Sequence, residues 1–358
     1  MFNLPNKINL DLLKCLNFDQ LFNFRQTNFY FNEFINKNEE ILARKEFYSI
    51  IIERYWNERE YTPIGDKVIE LDFKFGCSLD YKLDEQLIEK WQSSLNQRQH
   101  LYFGELISRP QFKDNLVITI HQRTKDKKYF FRYLKFPLCP KSMEEMKIAR
   151  YFLEQIFRCY FHFIDFGLYI FFPEMIKLLF ENDKTTKLKF NGQKATLYYY
   201  DQINPLDFAL NHLAIDELFI SFLKYKAKNE DYNKCLINFL MNERAKFTKI
   251  KWDFYKIQGL FYSLIKVNVW NFIMNRTLLP PISETSTNCL NIVPNIEVHA
   301  SESFDLDLDV RAKNKNKNEE ITSFELDNIY NPEVTFLVKN WEKEEGKVYQ
   351  FQIERINE

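Results

Sequence analysis

The sequence predicts a mixed α/β chain, α+β overall. A short three-helix unit precedes an irregular, solenoid-like α/β region with a β-rich C-terminal end. Three observations predict it. Residues 4–35 are dense in Leu, Ile and Phe at helical spacing, helix-like and strand-like stretches alternate from about residue 140, and 334–338 with 348–356 read as strands of a hairpin. The 358 residues suffice for two or three domains of about 100–200 residues each.

In chain order, Pro5 suits a first helical turn, where its missing N–H needs no partner. Ile8, Leu12, Leu13 and Leu16 then form an apolar stripe. Asn17-Phe18-Asp19 reads as a break, with Asp19 placed to cap a second helix. Leu21 and Phe24, then Phe31, Phe34 and Ile35, extend the apolar face through a third. A linker helix is expected over 41–60, its pattern starting near 39. The segment 61–140 carries alternating strand patterns at 68–75, 116–120 and 129–136, and 125–128 is polar enough for a hairpin turn.

Ser142, followed three residues later by Glu145, is a capping box for a helix through Met146, Ala149, Leu153, Ile156, Phe157 and Tyr160. A strand near 162–172 and a helix from Pro173 to about 182 follow. Further strands are expected near 188–190 and 196–199. Asn204-Pro205 starts a helix with Leu206, Ala209, Leu210 and Leu213 on one face. Leu218, Ile220 and Phe222 alternate as a strand, 236–240 is helical, Ile250, Trp252 and Phe254 alternate again, and 255–274 closes the series as a helix. Strands about 30 residues apart suggest stacked helix–strand units, leucine-rich-repeat-like over 141–275 although no strict repeat consensus is visible. An open α/β sheet is the competing architecture. Residues 276–358 open with a loop, the acidic alternation 304–310 reads as a half-exposed strand, and 313–320 reads as a charged turn or disordered loop.

Composition excludes several functions. With 46% hydrophobic and 17% aromatic residues the chain can bury a large core. Only 7 Gly are present, and neither G-x-G-x-x-G nor G-x-x-x-x-G-K-[ST] occurs, so a glycine-rich phosphate cradle is not expected. Net charge is −1 without a long basic block, which argues against nucleic acid as a partner. Six cysteines without a C-x-x-C pair suggest reduced, buried thiols rather than a zinc site or disulfides. Residues 1–5 show no secretory signal. The apolar stretch 152–173 carries Glu154, Arg158, His162 and Asp165, which are costly in lipid, so no membrane partner is expected.

The stretch 4–35 resembles the F-box, and the whole resembles the divergent F-box proteins expanded in nematodes. Leu4-Pro5-Asn6-Lys7-Ile8 matches the family's Leu-Pro-x-Glu-Leu/Ile opening, and Leu12, Leu13 and Leu16 match the apolar residues of its first helix. Asp19-Gln20-Leu21 approximates the Asp-Leu turn, Phe22-Asn23-Phe24-Arg25 the Leu-x-Leu-Arg segment, and Thr27-Asn28 and Phe31 the segment after it. Lys7 stands where the family carries Glu, Thr27 where it carries Val, and Phe29-Tyr30 where it carries a basic pair.

The resemblance implies an F-box over 1–40. It would bind a Skp-type adaptor, and through it a cullin, by Leu4, Pro5, Ile8, Leu12, Leu13, Leu16, Leu21 and Phe24. The remainder would receive an unknown protein substrate for ubiquitination, in the cytoplasm or nucleus. The physical counterpart is a unit too short to hide all its apolar side chains. The alternative is a plain interaction scaffold, whose N-terminal helices only cap the α/β region.

No catalytic, cofactor or metal residues are expected. His100, His121, His162, His212 and His299 stand alone, without H-E-x-x-H or a neighbouring cysteine cluster, and His162 and His212 read as core or edge positions. G-x-S-x-G is absent. Asp305, Asp307 and Asp309 alternate with leucines and lack the glycine and terminal Glu of a calcium loop. The sequon at Asn275-Arg276-Thr277 carries no weight without a secretory signal. Tyr198, Tyr199, Tyr200 and Trp252 fall on predicted strands, divided between core and a surface that could read a target.

Overall fold

The computed structural model describes residues 4–54, 69–70, 85, 88–89, 93, 104–106, 116–123, 129–134, 142–167, 169–171, 176, 179–180, 188–200, 205–224, 239, 247–254, 295–305, 312–318, 320–327, 335–344 and 347–356. The chain is mixed α/β and divides into two compact units. The first comprises 1–103, 114–164 and 174–192, and the second 104–113, 165–173 and 193–358.

The first unit opens with α1 (Asn6–Lys14), α2 (Phe18–Arg25) and α3 (Phe29–Lys37). Pro5 is the N-cap of α1 rather than part of its first turn. Asn17, not Asp19, caps α2: its side chain accepts from the Gln20 N–H at 2.9 Å, and the Gln20 side chain accepts in return from the Asn17 N–H at 3.0 Å. Asp19 lies inside the first turn, where a negative charge complements the helix dipole.

The linker helix expected over 41–60 does not form over 41–54, and 55–60 lie outside the described residues. A short 3₁₀ turn, Glu39–Ile41, leads into β1 (Lys45–Arg54). The run Ile50-Ile51-Ile52 is β-branched and suits a strand, and Ile50 and Ile52 are buried. β1 pairs antiparallel with β4 (Leu116–Arg123), Ile52 opposite Ile118, and β4 with β5 (Tyr129–Leu134), Arg123 opposite Tyr129. β2 (Ile69–Glu70) runs parallel to β5.

Next comes α4 (Met143–Phe157), whose cap Ser142 accepts from the Glu145 N–H at 3.2 Å. It buries Met146, Ala149, Leu153, Ile156 and Phe157. It stops at Phe157, short of the expected Tyr160, because the carbonyl of Phe157 is taken by Arg44 Nη1 at 2.8 Å and Asn191 Nδ2 at 2.7 Å. β6 (Cys159–Asp165) follows at once. Within this unit the strand order is β6-β1-β4-β5-β2.

Gly192 approaches the first unit's core closely. An added Cβ would stand 2.5 Å from the Phe161 carbonyl oxygen and 3.0 Å from Ile164 Cδ1. Backbone cannot yield as a side chain can, so Gly192→Ala is expected to cost about 1–3 kcal/mol in a chemical denaturation measurement.

The expected strand 162–172 is broken in two by Gly167, whose positive φ of 56° suits glycine and whose N–H donates to Asp165 Oδ1 at 2.7 Å. β7 (Tyr169–Phe171) pairs with β3 (Gly104–Leu106). The two short strands expected at 188–190 and 196–199 are one, β8 (Phe190–Tyr200). α5 (Pro205–His212) buries Leu206, Phe208, Ala209 and His212, while Leu213 opens β9 (Leu213–Lys224).

β10 (Lys249–Asp253) and β11 (Asn295–Asp305) continue parallel to β9. β12 (Lys313–Asn318), β13 (Ile321–Asp327), β14 (Thr335–Glu344) and β15 (Lys347–Arg355) are antiparallel, giving the order β12-β13-β14-β15-β11-β10-β9-β8. The segment 313–320 is therefore largely strand, not loop. The side chains of Lys313–Asn318 stay in solvent while their backbone pairs with β13. The register aligns a buried row Leu218–Ile250–Ile296–Ile353–Val338–Phe324 across six strands. Beside it runs Ile220–Trp252–Val298–Phe351.

The helices expected at 255–274 and most of 236–240, the turn 125–128 and the remainder of 68–75 lie outside the described residues. So do His100, Cys77, Cys139, Cys235, Cys289, Asp307, Asp309 and the sequon. Of the described thiols, Cys15 is exposed rather than buried.

Candidate functional site

The N-terminal unit closes its own small core with Leu13, Leu21, Phe31, Ile35 and Leu42, against which Leu10, Leu16, Phe24 and Phe34 pack. Phe24 meets Phe31 edge-on at 4.8 Å, and Tyr30 Oη reaches Asn6 Oδ1 at 3.2 Å to tie α3 to α1.

The opposite face of α1 is left open. Ile8 and Leu12, four residues apart, lie along one side of the helix, Leu4 precedes its N-cap Pro5, and the three are 46%, 40% and 39% exposed. Pro5 beside them is also exposed. Of the eight residues expected to face an adaptor, these four reach solvent. Leu13 and Leu21 are consumed by the internal core, and Leu16 and Phe24 are half-buried on its margin. Sequence spacing does not separate the two groups, because Leu12 and Leu13 are equally apolar. Each of these aliphatics, 39–46% exposed, holds on the order of 1 kcal/mol of burial that folding has not used.

A polar cluster in the second unit escaped sequence reasoning. Glu297 on β11 lies between Lys251 on β10 and Gln352 on β15 by register. Its carboxylate accepts from Lys249 Nζ at 2.8 Å, Lys251 Nζ at 3.0 Å and Gln350 Nε2 at 3.2 Å, and meets His299 Nε2. The one available signal is the polar alternation at 249, 251, 253 and at 295, 297, 299; the pairing of segments 46 residues apart is tertiary information. The His299 contact, aided by both lysines and opposed by burial, holds the Glu297 carboxyl well below the usual carboxylate range.

The cluster is saturated by its own partners, and its chemistry is that of a strand clamp. Because the folded pKa lies below the unfolded one, its stabilisation is complete above the ordinary glutamate value of 4.5 and is lost as pH falls below it. Glu297→Gln is expected to cost about 1–3 kcal/mol at neutral pH. It should also flatten the loss of melting temperature between about pH 5 and pH 3, measured by circular dichroism.

Among the described residues no group of three or more His, Cys, Asp or Glu is placed to hold a metal ion. His162 is exposed, 4.0 Å from Glu46, and His212 is buried. Burial raises the Cys159 thiol to about 11, which leaves it protonated and unreactive at neutral pH. No described helix is long and apolar enough to cross a membrane.

Residues 76–224 match a domain family of unknown function, DUF8381. The matched span runs through β3 to β9 and includes α4 and α5. It does not include the three N-terminal helices. No curated protein and no solved structure matches the chain.

Proposed function

We propose that the chain is a non-catalytic substrate-receptor subunit of a cullin–RING ubiquitin ligase, acting in the cytoplasm or nucleus. Its three N-terminal helices dock a Skp-type adaptor as an F-box does, and the α/β region holds the target protein. The observation that carries this reading is the division of labour within α1. Leu13 closes the unit's own core, while Ile8 and Leu12 on the other side of the helix, with Leu4 just before it, leave apolar surface in solvent. A partner helix laid along that surface would recover the forfeited burial. A scaffold whose helices merely cap the α/β region would have those three side chains covered.

For the target-binding region, the in-register parallel ladder β9–β10–β11 favours successive helix–strand units. Glu217, Lys249 and Asn295 stand side by side although 32 and 46 residues apart in sequence. Both the solenoid-like and the open-sheet architectures use such a ladder.

The test is co-purification of the full chain with a recombinant Skp-type adaptor. The wild type is expected to form a stable complex, and the double variant Ile8→Glu, Leu12→Glu to lose it while keeping the wild-type circular dichroism spectrum. Failure of folded wild-type protein to retain the adaptor overturns the reading.

A further inference from the structure

The first unit contains a cleft of about 490 Å³ where α2 and α3 face the junction of α4 with β6. That volume lies in the range that accepts a drug-sized group or a few residues of peptide. One wall is apolar: Phe18 and Phe22, one turn apart on α2, stack at 6.3 Å, and Phe22 is 48% exposed. The rest of the lining is polar, with three cations among neutral side chains. Arg25, Lys45 and Arg158 line the cleft against a single carboxylate, Glu39.

Glu39 is engaged by Arg158 at 3.7 Å, and Arg158 is further held by Glu154 at 2.8 Å. Arg25 donates to the neutral Asn36 side chain, and Lys45 Nζ stands 5.3 Å from the centre of the Phe47 ring. Among the described residues neither meets a carboxylate. The cleft thus concentrates uncompensated positive charge beside an aromatic wall, in a chain whose net charge is −1.

We propose that this cleft binds a short acidic peptide segment, in which an aromatic or aliphatic side chain packs on Phe18 and Phe22 and flanking carboxylates pair with Arg25 and Lys45. Arg25 and Lys45, which meet no carboxylate among the described residues, match a pair of carboxylates; nucleic acid binding draws on many more phosphate contacts. Pairing at a partly desolvated wall is worth more than at an open surface. The identification of the occupant as part of a ligase target rests on the receptor reading above.

The test uses the full chain and a fluorescein-labelled Glu-Asp-Phe-Asp-Glu peptide, read by fluorescence anisotropy. Saturable binding is expected. It should weaken by about ten-fold or more with Lys45→Glu or Arg25→Glu, with Phe replaced by Ala in the peptide, or with its acids replaced by Gln and Asn. The proposal is overturned by no binding at about 1 mM peptide, by equal binding of the neutral peptide, by indifference to both substitutions in proteins that melt like wild type, or by tighter binding of a single-stranded oligonucleotide at the same cleft. Lys45→Glu should still retain the Skp-type adaptor, and the Ile8→Glu, Leu12→Glu variant should still bind peptide. Peptide binding without adaptor binding sinks the receptor reading alone, and adaptor binding without peptide binding sinks the cleft alone.

Discussion

Replacing Trp252 by Ala should remove about 3–5 kcal/mol from the stability of the second unit, among the largest effects of any single side chain there. Trp252 is fully buried on β10, with Ile220 of β9 on one side and Val298 of β11 on the other. It meets Phe254 edge-on at 6.5 Å, and Phe254 stacks on Phe222 at 4.3 Å, which stacks in turn on Tyr199 at 5.1 Å. The vacated volume lies on the sheet face between the side chains of Ile220 and Val298, whose spacing the strand register fixes. Urea unfolding followed by far-ultraviolet circular dichroism measures the loss. Trp252→Phe should cost less than about 1.5 kcal/mol. The indole N–H has no hydrogen-bond partner among the described residues, so its removal relieves a desolvation penalty that offsets part of the lost packing. If the Phe variant is as damaged as the Ala variant, the packing account of this position is wrong.

Leu13→Ala should behave differently from any change on the exposed side of α1. Leu13 is 1% exposed and packs with Leu21, Phe31, Ile35 and Leu42. Its truncation is expected to cost about 2–5 kcal/mol, enough to melt a unit whose core has so few members. Ile8→Glu, in contrast, places its charge in water and should shift stability by less than about 0.5 kcal/mol. Hydrogen exchange resolves the two cases: Leu13→Ala should lose amide protection throughout α1–α3, and Ile8→Glu should retain it. Equal protection in both variants would mean that the internal core does not hold the three helices together.

The elements most legible in the sequence are those whose signal is local. Ser142 with Glu145 marks the start of α4 to the residue, and the apolar spacing of Ile8, Leu12, Leu13 and Leu16 marks α1. The 45–54 stretch was harder because Phe47, Ile50 and Ile51 also fit helical spacing. What decides for a strand is the partner β4, more than sixty residues away. The segment 313–318 reads as unstructured because no side chain in it is apolar; its order comes from backbone hydrogen bonds to β13, which composition does not encode. The exposed apolar residues of α1 were legible as a surplus but not as particular ones. The Glu297 cluster and the basic cleft were not legible at all, because each draws its members from segments that only folding brings together.

The last strand of the second unit's sheet order, β12, has consequences for how the protein behaves in crowded solution. Six residues alternating Lys and Asn lie along it, all exposed. Lys313 is paired with Asp327 and Lys317 with Glu342, and a lysine stands at every second position of the strand. Asn314 sits at φ 53°, where the pairing with β13 slips between Lys313 and Asn316. A second molecule approaching to extend the sheet would have to set ammonium against ammonium on a kinked template. By this reasoning the rim is expected to disfavour extension of the sheet by a second molecule.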